Sequence, residues 1–152
     1  MKLTSAFDIS ASALTAQRFR MDVISSNIAN ADATRARYVN GSWVPYTRKM
    51  VVMEPIQKQV SFQDIFRSKL KQTPMSAGVK VTRIVEDRSP YKRVYDPTHP
   101  DADADGFVML PNVDILREMV DMISATRSYE ANVTAFNASK AMFMKALEIG
   151  RG

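Results

Sequence analysis

The sequence predicts an α+β fold with long N- and C-terminal helices paired as a coiled coil around a small β-rich middle module. Three observations carry this. Apolar residues recur every three or four positions at both ends of the chain. The two end patterns share one period. Between them, short β-type runs are broken by most of the chain's prolines.

The C-terminal pattern is the clearest. Stepping alternately four and three residues from Ile115 reads Ile115, Met119, Met122, Thr126, Tyr129, Val133, Phe136, Lys140, Phe143, Leu147, and only Thr126 and Lys140 break the apolar run. This is a period of about 3.5, which drifts around a straight helix and calls for a left-handed supercoil to keep the seam buried. Pro111 and Gly150 bracket the run, Asn112 is placed to cap it, and Asp114 and Glu118 suit the positive end of the helix dipole. A helix of this span is about 50 Å long.

The N-terminal pattern repeats the spacing through Leu3, Phe7, Ser10, Leu14, Gln17, Met21, Ile24, Ile28 and Ala31, with no Gly or Pro before residue 41. Ser5 and Asp8 read as a variant capping box. These patterns divide the chain into an N-terminal assembly helix over 1–35, a β-rich module over 36–111 and a C-terminal assembly helix over 112–152. Two such long stripes on a short chain have little neighbouring core to cover them, which favours burial against other subunits over a self-sufficient monomeric helix pair.

In the middle, Val44, Tyr46, Met50–Met53, Val79–Val85 and Phe107–Leu110 read as strands separated by Pro45, Pro55, Pro74, Gly78, Pro90, Pro97 and Pro100. Residues 61–75 place Phe62, Ile65, Phe66 and Leu70 at helical spacing and read as a short helix or an insertion.

Charge and composition narrow the function. The chain has 152 residues, net charge +5, and no cysteine, which excludes disulfides and thiolate chemistry. No apolar stretch approaches the length of a membrane span, and the first eight residues lack the continuous apolar core of a cleavable signal. Residues 31–93 carry 13 basic against 5 acidic side chains, and residues 94–121 carry 1 against 7. Such halves suit docking between copies or neighbours. A basic segment interleaved with Trp43, Tyr46, Tyr91 and Tyr95 also admits nucleic-acid binding, although no nucleic-acid motif frames it.

Catalytic and metal sites find little support. Asp101, Asp103, Asp105, Gly106 and Val108 match positions 1, 3, 5, 6 and 8 of a calcium loop, but position 12 is Asn112 in place of the bidentate glutamate. An acidic turn with Gly106 supplying the backbone freedom is the simpler account. His99 is the only histidine, so a histidine-based triad or metal site lacks a second member. No catalytic site, cofactor or metal is expected.

Residues Ala13 to Asp32, centred on Ser26-Asn27-Ile28-Ala29-Asn30, resemble the N-terminal signature of flagellar basal-body rod and hook proteins. The stretches Asn112–Val120 and Ser128–Asn137 resemble their C-terminal motif, and Asp96–Asp103 with Gly106 and Val108 resembles a segment typical of the short proximal-rod branch. One departure is Ala36, where many relatives carry glycine in a Thr-x-Gly-Tyr turn. The resemblance implies a structural subunit that leaves the cell by type III export without a cleaved signal. It then polymerises in the periplasm, within the flagellar basal body, into a hollow rod. Implied partners are other copies, other rod proteins, and membrane-ring and export-gate components at the rod base, with neither nucleic acid nor direct membrane insertion. Leu14, Met21, Ile28, Ile115, Met122, Val133, Phe136 and Leu147 are then expected to form the packed seam. Asn27, Asn30, Asn132 and Asn137 are expected to supply the hydrogen bonds that fix its register.

Overall fold

The computed structural model describes residues 3–39, 41–57 and 76–150; the expected insertion at 61–75 lies outside the described residues. The elements run α1 (Leu3–Ala29), β1 (Arg37–Val39), β2 (Ser42–Val44), β3 (Lys49–Gln57), β4 (Ser76–Glu86), β5 (Lys92–Tyr95), β6 (Phe107–Leu110) and α2 (Ile115–Ile149). The architecture is the expected α+β one, a helix at each end with strand pairs between.

Among the described residues the strands form three two-stranded ribbons, β1–β2, β3–β4 and β5–β6. β1 and β2 are antiparallel, with Tyr38 opposite Trp43, and β5 and β6 are antiparallel, with Val94 opposite Val108. The runs Met50–Met53, Val79–Val85 and Phe107–Leu110 all lie in strands, whereas Tyr46 lies just outside one. In the turn joining β5 to β6, Gly106 adopts φ +77° and its N–H donates to the Asp103 carbonyl at 2.8 Å. A Cβ there would meet the Tyr95 ring at 3.0 Å, so the turn requires glycine on two counts.

Two capping expectations are corrected. Asp114, not Asn112, caps α2: its Oδ1 accepts the N–H groups of Leu116 at 3.1 Å and Arg117 at 3.4 Å. Asn112 is drawn away by a stronger demand. Its Oδ1 accepts the Arg48 N–H at 2.8 Å, and its Nδ2 donates to the carbonyls of Asp87 and Ser89. Ser5 lies inside α1, which begins at Leu3, so it does not cap that helix. α1 ends at Ala29, where Asn30 Nδ2 donates to the Ser26 carbonyl at 2.8 Å and the next bonds tighten to i→i−3 spacing.

The chain forms two compact units, each discontinuous in sequence, with boundaries inside both helices. A terminal unit comprises Met1–Phe19, Met53–Thr82 and Thr126–Gly152; a middle unit comprises Arg20–Val52 and Arg83–Ala125. In the terminal unit Ala16 and Ser10 are buried, and the Phe7 ring stands edge-on to Phe136 and Phe143 at 5.2 and 6.1 Å. There β4 approaches α1 at Gly78 (φ +122°), where Val79 N–H donates to Ser12 Oγ at 3.2 Å. The middle unit holds most of the described core: Val23, Ile24, Ala31, Tyr46, Val108, Val113 and Ala125.

Candidate assembly interface

Within the middle unit α1 and α2 run antiparallel. Arg20 Nη2 reaches Asp121 Oδ1 at 3.1 Å, and about two turns further along α1 Asn27 reaches Glu118, about one turn earlier on α2. The α2 side of this contact is polar, not apolar. Glu118 is fully buried, and both its oxygens are used: Oε1 accepts from Arg48 Nε at 2.7 Å and Nη2 at 2.6 Å, and Oε2 accepts from Asn27 Nδ2 at 2.9 Å.

Asn27 uses every hydrogen bond an amide has. Its Nδ2 donates to Glu118 and to the Lys49 carbonyl, and its Oδ1 accepts from the Lys49 N–H and the Tyr46 hydroxyl, all between 2.9 and 3.0 Å. The side chain therefore pairs with the first residue of β3 as a neighbouring strand would. Arg48 also faces Asp87 at 3.4 Å and Asp121 at 3.7 Å. Burial works against the charge of Arg48, but hydrogen bonds and attraction from Glu118 and then Asp87 outweigh it, so its affinity for the proton rises further. Asp87 is held below the ordinary aspartate value by the Ser89 hydroxyl and N–H and then by Arg48.

The other face of α2 inverts the usual arrangement. Leu116, Val120 and Ile123, spaced i, i+4, i+7, are 76%, 67% and 60% exposed. Glu118 and Asp121 thus face inward here, while Leu116, Val120 and Ile123 face outward. Further along, in the terminal unit, Met142, Met144, Leu147 and Ile149 are also exposed, and of the 35 residues of α2 only Glu118 and Ala125 are buried.

The expected seam residues divide into groups. Leu14 and the phenylalanine partner Phe136 are half-buried in the terminal unit with Val133, and Met21, Ile28 and Met122 are half-buried in the middle unit. Ile115 and Leu147 are exposed. Of the expected register asparagines, Asn27 bridges elements as described. Asn30, just past the end of α1, and Asn132 within α2 bond locally, to the carbonyls of Ser26 and Ser128 four residues back, and Asn137 is exposed. Sequence reasoning missed Glu118 and Arg48 as partners. The available signal was spacing: Glu118 stands seven residues before Ala125, the same helical face.

The acidic turn is tied down by protein groups. Asp101 accepts from Thr34 Oγ1 at 2.8 Å and from Arg35, whose guanidinium, followed by Thr34, holds the carboxyl below the ordinary aspartate range. His99 Nδ1 accepts the Asp101 N–H at 3.1 Å, a turn role. Among the described residues no helix is long and apolar enough to cross a membrane.

Residues 7–37 match the sequence model of the flagella basal body rod protein family, and residues 104–149 match that of the flagellar basal body rod FlgEFG protein C-terminal region. These matches contain both helix segments of the middle unit. The flagellar basal-body rod protein FlgC of Bacillus subtilis (strain 168) is 60% identical over 147 residues, 96% of this chain and 97% of that protein. The protein of the same name from Borreliella burgdorferi is 44% identical over the full length of both chains, and that from Salmonella typhimurium is 40% identical over 99% of this chain and all of its own. With end-to-end similarity of this strength, two helices that pair through Asn27 and Glu118, and strand ribbons between them, the chain belongs to the FlgC family of flagellar basal-body rod proteins.

Proposed function

We propose that the chain is a structural subunit of the proximal flagellar rod, and that it polymerises through its terminal helices into the hollow shaft that transmits torque and passes exported subunits. The observation that carries this reading is the bare outer face of α2, with Leu116, Val120 and Ile123 turned to solvent. A monomer gains nothing from that arrangement, and an apolar helix face of this kind is a contact surface. The seam set runs from Leu14, Met21 and Ile28 on α1 to Ile115, Met122, Val133, Phe136 and Leu147 on α2. In this reading it serves both the pairing within a subunit and the contacts to neighbours.

Contacts between subunits are heterologous, so repetition makes an open tube and not a closed ring. Other copies and other rod proteins cover the outer helix faces, with ring and export-gate components at the base. The subunit reaches this place, in the periplasm, by type III export. The role is mechanical, and no catalytic step is assigned.

The test is genetic and biochemical. Deleting the coding sequence should abolish rods and swimming, and restoring it should recover both, with the chain found in purified basal bodies. Normal rods in the deletion strain would contradict the proposal.

A further inference from the structure

We infer that Asn27, Arg48 and Glu118 form a register lock: positioning residues that fold the middle unit in the free subunit and fix which turn of α1 faces which turn of α2 before assembly. The functional consequence rests on the rod reading above; the lock itself does not.

Both helices of the middle unit, and the stretches holding Asp87 and Asn112, converge on Arg48 and Lys49. Asn27 of α1 clasps the Lys49 backbone, Asn112 accepts the Arg48 N–H, the Arg48 carbonyl accepts the Asp87 N–H at 2.8 Å, and Glu118 and Asp121 of α2 hold the guanidinium. A purely apolar cluster of the same volume would hold these segments as firmly, because taking an ion pair out of water costs about as much as the pair returns. What the polar cluster adds is a single geometry. An apolar seam with a seven-residue repeat can slip by a turn or a heptad and find similar contacts. Asn27 cannot, since each of its four hydrogen bonds has one partner in one register.

The lock also accounts for where the unit ends. Arg20–Asp121 lies at its edge, the boundary follows at Phe19/Arg20 and Ala125/Thr126, and from Thr126 to Gly150 no side chain is buried. Beyond the lock α2 depends on neighbours for burial.

The chain has no cysteine, so spin labels on Asp22→Cys and Arg117→Cys, both exposed positions in the middle unit, report the register in the full-length free subunit. With the lock intact, one narrow distance is expected. In Arg48→Met/Glu118→Leu the thermal midpoint should be retained, but further distances should appear, from slips of about 5.4 Å per turn, and incorporation into basal bodies should fall. A single narrow distance in that variant would overturn the inference. Should the double variant not fold, Glu118→Gln decides, because it keeps an acceptor for Asn27 and removes only the charge. Amide-exchange protection should then drop by at least about tenfold in 20–29 and 115–125 together. Loss in one helix only, or in neither, would overturn it. Distances and exchange are read on the free chain, so absence of the wild-type chain from basal bodies would count against the rod reading and leave the lock standing.

Discussion

Asn27 shows how much one side chain can settle. It is 1% exposed and carries four hydrogen bonds to three segments. Asn27→Asp keeps the shape but replaces two donated bonds with a carboxylate facing Glu118 and the Lys49 carbonyl. Losing a buried hydrogen-bonded partner and adding an unpaired buried charge costs on the order of 3–5 kcal/mol. Chemical denaturation of the free subunit should show a loss of that size, and an unchanged midpoint would remove Asn27 from the centre of the account. Asn27 was legible in sequence, as a polar residue within the family signature and beside the apolar stripe. Arg48 and Glu118 were not. Their partners lie 70 positions apart, and nothing local to Arg48 separates it from the other basic residues of the middle segment. The expected polarity at 118 looked like a dipole effect at a helix start, and burial, which only the fold reveals, gave it a different role.

At the scale of elements, periodicity placed both helices and three of the strand runs, because those patterns are local. It put the α2 cap two residues early, since Asn112 and Asp114 are both good caps and only the fold shows that Asn112 is claimed by Arg48 and the carbonyls of Asp87 and Ser89. β1 went unread and β2 was read only at Val44, although Asn40-Gly41, a strong hairpin signal, separates them; Gly41 adopts φ +87°. The turns carry a pH dependence of their own. Asp87, Asp96 and Asp101 are held below the ordinary aspartate value, Asp87 by Ser89 first, Asp96 by Thr98 and Asp101 by Arg35. A depressed folded value means that the unfolded chain binds more protons, so this stability is fully present above about pH 4–5 and is lost as pH falls through the folded values. Denaturant midpoints should therefore hold from neutral to about pH 5 and decline below, with a shallower decline in Asp101→Asn. A midpoint that rises on acidification would contradict these assignments.

At the scale of the whole molecule, the helix period and family signature announced an assembly protein, but not the division into two units whose boundaries fall inside helices. That division depends on long-range burial, which the middle unit has and most of α2 beyond Ala125 lacks. Limited proteolysis of the dilute free subunit should trim both ends first and leave a core that extends into the helices, towards Arg20 and Ala125, with helicity below that of the fully formed helices. Ends that resist proteolysis as long as the core does would contradict this ordering of stability.

In the proposed rod, neighbouring subunits cover the outer face of α2. Val120 tests this most directly, because it is 67% exposed and its replacement asks little of the isolated fold. The measurement is incorporation of Val120→Asp into purified basal bodies, alongside thermal unfolding of the free variant. Unfolding within about 0.5 kcal/mol of wild type is expected, together with absence from rods and loss of swimming. Normal incorporation of the variant would contradict that coverage.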